Sequence, residues 1–198
     1  MVDFVFDLGA VVFDWRPQEL LARTLPLRAS TPEAAAALAS RFFGGYGGDW
    51  WEFDRGTIDV PELVTRLAGH VGLAEREVMQ VVDAVPEALL PIPETIALMG
   101  ELRDRGHRLR YLSNMPAPYA DELERRHPFG DWFEGGGLFS SRVRRVKPEP
   151  EIFALAAARL GIRPEKALFI DDSPANVEAA RACGWQAVCF SGAGSLRE

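Results

Sequence analysis

The chain has 198 residues, with 29 acidic side chains against 22 basic ones and a formal net charge of −7 at pH 7. That length suits one domain with an insertion or two small ones, and the acidic balance argues against a nucleic-acid partner, which would meet a basic face. No apolar run reaches the ~18 residues of a membrane span, Met1-Val2-Asp3 lacks the basic start of a secretion signal, and Cys183 and Cys189 have neither a CxxC nor a zinc spacing; the expectation is a cytoplasmic protein with reduced thiols.

Residues 3–7 read as a short buried strand, β-formers followed by an acidic stop. Val11-Val12-Phe13 is a second apolar piece, a flap rather than a full strand. Pro17 suits the first turn of a helix, and from there to about Ala88 the pattern is helical, with no convincing strand. The glycines of Gly44-Gly45-Tyr46-Gly47-Gly48 break it with a turn. After Pro91-Ile92-Pro93 the rhythm changes. Helices are expected over 94–105, 119–126, 149–160 and 174–182, and strands at 108–112, around Leu138-Phe139, at 167–170 and at 186–190. Strands alternating with helices mean a parallel α/β sheet, and the strand at 3–7 must join it to be buried. The expected fold class is therefore α/β, a doubly wound Rossmann-like sheet. Residues 1–14 plus 89–198 form its core domain, and an all-helical domain over 15–88 is inserted after the first strand.

Asp7 and the pair Asp171-Asp172 each follow an apolar run. In an open parallel sheet, ligands bind beyond the carboxyl ends of the strands. Two acidic strand ends could meet there, an arrangement that suits a hard divalent cation and a nucleophilic carboxylate. Ser113-Asn114 ends another strand, and Lys147 precedes a prolyl turn. Each residue taken singly has a plainer reading. Asp7 and Ser113 could be turn residues, Lys147 a surface lysine, and Asp171-Asp172 the N-cap of the helix near Pro174.

Together, Asp7-Leu8-Gly9, Leu112-Ser113-Asn114, Val146-Lys147-Pro148-Glu149-Pro150 and Asp171-Asp172 with Asn176 resemble the haloacid dehalogenase superfamily in order and spacing over the whole chain. Phe6-Asp7-Leu8-Gly9 and Asp54-Arg55-Gly56-Thr57-Ile58-Asp59 resemble its helically capped bacterial sugar phosphatases, including those acting on α-D-glucose 1-phosphate. The resemblance implies a Mg²⁺-dependent phosphatase that takes a small phosphorylated metabolite. Asp7 would be the nucleophile and form an aspartyl-phosphate. Asp172 would bind the metal directly, Asp171 through water, and Asp7 and the Gly9 carbonyl would complete the protein's ligands. Ser113 and neighbouring N–H groups would bind phosphate oxygens, with Asn114 beside them, and Lys147 would offset carboxylate–phosphate repulsion. Asn176 would orient the acidic loop. Arg55 could reach substrate or form a surface ion pair.

Gly9 departs from the family pattern, in which most phosphatases carry a second Asp that protonates the leaving group. Such help is typically worth ~10²–10⁴ in rate. A hemiacetal leaving group, as in an anomeric sugar phosphate, would need it less. Asp14 is one surrogate acid, if the flap brings it back; a hinge role is the alternative. Gly9 also keeps two rivals open, a metal-independent 2-haloacid dehalogenase and a catalytically weak binding protein. The aromatic stretch Phe42 to Arg55 either stacks on substrate or packs the cap's own core. Trp15 would pack the cap on the core domain. The run Arg142-Val143-Arg144-Arg145 either attracts phosphate or is a solvated face. The oligomeric state is open.

Overall fold

The computed structural model describes residues 2–196. Five parallel strands form one sheet in the order β3-β2-β1-β4-β5. They are β1 (Asp3–Phe6), β2 (Arg108–Ser113), β3 (Gly137–Phe139), β4 (Ala167–Asp171) and β5 (Gln186–Cys189). β1 lies between β2 and β4, with Phe6 opposite Tyr111 on one side and Ile170 on the other. The chain leaves β1 toward β2 and later returns to its other flank at β4. Such a reversal opens a crevice at the strands' carboxyl ends.

Alternation along each strand sends its side chains to two layers. Phe6, Leu109, Tyr111 and Ile170 face a core shared with α6 (Pro93–Asp104) and α7 (Ala117–Arg126). Val5, Leu112 and Phe169 face a second core with α9 (Pro150–Leu160) and α10 (Pro174–Ala182). The sheet is thus covered on both faces, as its nearly continuous apolar strands require. A short α8 (Phe129–Trp132), not foreseen from the sequence, precedes β3.

Between β1 and α6 the chain forms five helices and, among the described residues, no strand. They are α1 (Pro17–Thr24), α2 (Pro32–Phe43), α3 (Asp49–Arg55), α4 (Val60–Val71) and α5 (Glu75–Ala88). Prolines occupy the first turns of α1, α2 and α4, where a missing N–H costs nothing. Thr31 and Asp59 cap α2 and α4 through their side chains. The apolar faces of this block run into the same core as one face of the sheet. Residues 11–13 form a buried turn rather than a strand. The Val11, Val12 and Phe13 N–H groups all donate to the Leu8 carbonyl, and all three side chains are buried.

Candidate active site

Asp7 follows β1, and its N–H donates to the Ile170 carbonyl at 2.8 Å. That bond ties the end of β1 to β4, which ends in Asp171. One carboxylate oxygen each from Asp7, Asp171 and Asp172 lie within 4.8 Å of one another. Lys147 reaches between two of them, its Nζ 2.8 Å from Asp7 Oδ1 and 2.6 Å from Asp171 Oδ2. The lysine is 1% exposed, and an ammonium so buried persists only when paired.

Asp171 is spoken for. Its oxygens accept from the Ser173 N–H, from Asn176 Nδ2 and from Lys147. Asn176 therefore orients this acidic loop, as expected. Asp172 is exposed and faces the cavity that Asp7 and Gly9 also line. Burial raises the Asp7 carboxyl to about 7 against the pull of Lys147, with Asp171 and Asp172 adding to the rise. Burial and then Asp171 push Asp172 up as well, again against Lys147. For Lys147, the attraction of Asp171 and Asp7 outweighs burial and holds the ammonium above its usual range. Three carboxylates against one ammonium make a corner short of positive charge. Hard oxygen donors in this arrangement fit a divalent cation such as magnesium.

Ser113 lies at the end of β2, 1% exposed, on the wall of the same cavity. Asn114 also lines it, but both ends of its amide are used. Its Nδ2 donates to the Lys147 carbonyl at 2.9 Å, and its Oδ1 accepts the Lys147 N–H at 2.8 Å. Asn114 thus holds the lysine loop, where substrate contact was expected. Arg55 takes the second of its two expected roles, an ion pair. It does not line the cavity but grips Glu149 with two nitrogens, at 2.5 and 2.9 Å. Asp14 pairs with exposed Arg16 at 2.9 Å and is outside the cavity lining. Arg142 lies over the Phe139 ring and pairs with Asp121 and Glu124 of α7, so this arginine of the basic run is committed elsewhere.

The cavity holds about 210 Å³. Its polar end carries Asp7, Gly9, Ser113, Asn114 and Asp172. Its other walls are Trp15, Phe43, Trp50, Val85 and Leu89 from the helical side, and Met115, Pro116 and Tyr119 from the sheet side. Trp15 meets Phe43 edge to face at 5.1 Å. The aromatic stretch divides, with Phe42 and Phe53 in the core and Phe43 and Trp50 reaching the cavity. Asp54, one residue beyond Phe53, adds a carboxyl to this apolar wall. Read from the sequence, Asp54 opens the segment 54–59 but carries no role of its own, because no local pattern separates it from its neighbours on α3.

Acidic strand ends and a buried lysine that meet at the carboxyl edge of a parallel sheet make a Rossmann-like α/β fold with a site suited to hydrolysis. The family model for haloacid dehalogenase-like hydrolases matches residues 18–184, and the chain belongs to that family of hydrolases. A sesquiterpene phosphatase of Aspergillus oryzae is 26% identical over 181 residues, covering 91% of this chain and 85% of its own. A phosphoglycolate phosphatase of Nitrosococcus oceani is 37% identical over 90 residues, which are 46% of this chain and 40% of that protein. Among solved structures, a family member from Bacteroides thetaiotaomicron in complex with magnesium and inorganic phosphate superposes with a TM-score of 0.73. It is 20% identical, over 97% of this chain and 95% of its own. An L-2-haloacid dehalogenase of Xanthobacter autotrophicus shares the fold at a TM-score of 0.69 and 20% identity, over 96% of this chain and 78% of its own. No helix among the described residues is long and apolar enough to cross a membrane.

Proposed function

We propose that the chain is a magnesium-dependent phosphatase that hydrolyses small phosphate monoesters through an aspartyl-phosphate on Asp7. The observation that carries this reading is the convergence of Asp7, Asp171 and Asp172 around Lys147. Asp7, Asp172 and the Gly9 carbonyl would hold the ion. Asp171, already saturated with hydrogen bonds, would act through water. Bound there, magnesium would neutralise charge on the phosphoryl group. Lys147 fixes the Asp7 carboxylate and offsets its repulsion of an anionic substrate. Ser113 binds a phosphate oxygen. Residues 15–88 serve as the cap over a core of 1–14 plus 89–198, excluding water from the closed site. The free thiols Cys183 and Cys189 suit a reducing, cytoplasmic setting.

Sugar phosphates are the substrate class that the sequence resemblance supports, and aromatic walls can stack on sugar rings. The cavity favours a second reading. Beyond its acidic corner the lining is almost wholly apolar, with Asp54 the one carboxyl. That surface suits the phosphate ester of an apolar alcohol better than a ring of hydroxyls. The relative from Aspergillus oryzae carries a name of that kind. Phosphate release from a panel of sugar phosphates and prenyl monophosphates, with magnesium and with EDTA, tests both. Release that needs magnesium and falls at least ~10³-fold in Asp7→Asn supports the phosphatase, and the better half of the panel identifies the class. Chloride release from 2-haloacids that persists in EDTA, with no phosphate release, would overturn it.

A further inference from the structure

Breaking a phosphate monoester leaves an electron pair on the departing oxygen, and an alcohol leaves far more readily if that oxygen receives a proton. The acidic corner has none to spare. The Lys147 ammonium is held between Asp7 and Asp171, and Gly9 has no side chain. Asp54 is a carboxyl on the helical side of the same cavity. The Ser140 hydroxyl donates to its main-chain carbonyl at 2.5 Å, tying the end of α3 to the sheet side. The next residue, Arg55, is clamped to Glu149. Gly56 then turns with φ +74°, so close to Ser141 that a Cβ would come within 2.8 Å of its carbonyl. The backbone of Asp54 is fixed on both sides. Its carboxyl forms no hydrogen bond or ion pair among the described residues and sees Asp7 and Lys147 only through space.

We propose that Asp54 is the general acid of this site, supplied by the helical insertion in place of a side chain at position 9. The proposal rests on the phosphatase reading. In the first step an Asp7 oxygen bonds to phosphorus and the bond from phosphorus to the leaving oxygen breaks. The electron pair goes to that oxygen, which takes the Asp54 proton and departs as the alcohol. In the second step the Asp54 carboxylate takes a proton from water as that water attacks phosphorus. The bond from phosphorus to Asp7 breaks, phosphate leaves, and Asp54 is again an acid. Burial first, and then the Asp7 charge, raise this carboxyl to about 8, against a weaker pull from Lys147.

The position it replaces remains open. A Cβ on Gly9 would meet only the Trp15 Cβ, at an ordinary 3.9 Å. The test is therefore Asp54→Asn, alone and combined with Gly9→Asp. Its readout is kcat/KM for phosphate release with magnesium, from p-nitrophenyl phosphate, phenyl phosphate and an alkyl phosphate. The expected loss in Asp54→Asn is at least ~10²-fold on the alkyl ester and under ~10-fold on p-nitrophenyl phosphate, whose leaving group needs no proton. Gly9→Asp should restore much of the alkyl activity. Thermal melts, with Asp54→Ala beside Asp54→Asn, separate misfolding from lost chemistry. Equal losses on all three esters, or no loss in a folded variant, would overturn the role of Asp54 and leave the phosphatase standing. No release from any ester by the wild type would overturn both.

Discussion

Lys147 sets the charge balance of the site, and Asn114 sets Lys147. The amide of Asn114 grips the lysine's own N–H and carbonyl, so the backbone is fixed before the side chain reaches its two carboxylates. Asn114→Ala would leave both main-chain groups without these partners. The expected cost is about 1–2 kcal/mol of stability, read as a lower urea midpoint. Turnover should fall as well, in kcat more than in KM, because a displaced ammonium weakens the transition state rather than ground-state binding. A stability loss with unchanged kcat would reduce Asn114 to a structural clamp.

At the scale of elements, the insertion is held together by helix ends. Glu77, in the first turn of α5, accepts the Ala74 N–H at 2.9 Å. It also takes two bonds from Arg28, which follows α1. These bonds from Arg28, followed by the one from Ala74, lower the Glu77 carboxyl to about 2. Since its folded pKa lies below the unfolded one, its contribution is present above about 4.5 and is lost as pH falls toward 2. Glu77→Gln keeps an acceptor for Ala74 and removes the charge. It should melt below the wild type at pH 7, and the gap should close near pH 2.5. A gap that stays constant across that range would refute the assignment. The same scale shows what the sequence can carry. Strands, helices and the acids that end them are written in local periodicity and punctuation, so Asp7, Ser113 and Asp171-Asp172 could be placed at strand ends, and Lys147 before a prolyl turn, ahead of any coordinates. Asp54 could not. It sits beside buried Trp50 and Phe53 on a short helix, and only the folding of α3 against the turn at Ser140–Arg142 brings it to the cavity. Asn114 was placed at the right strand end, but its grip on Lys147 could not be read, because which group an amide meets is settled by a loop 33 residues away.

For the whole molecule, the Arg55–Glu149 pair joins the helical insertion to the start of α9. The contact spans 94 residues of sequence and sits one residue from Asp54. Two parallel N–H···O bonds give it more directional strength than a single surface pair, though partial exposure limits its worth to about 1 kcal/mol. An arginine in this position has two possible duties, holding the cap or holding the substrate, and the sequence left both open. A double-mutant cycle separates them. If the pair is a latch, Arg55→Ala and Glu149→Ala should each lower stability by about 1 kcal/mol, and the double variant should lose little more than either alone. Turnover should follow the same pattern, with a severalfold loss common to all three variants, since each frees the end of α3 that carries Asp54. If Arg55 instead serves substrate, Glu149→Ala would spare activity while Arg55→Ala raises KM, and the two losses would add. Urea unfolding and phosphate release on the same four proteins decide between these outcomes, and the geometry commits to the latch.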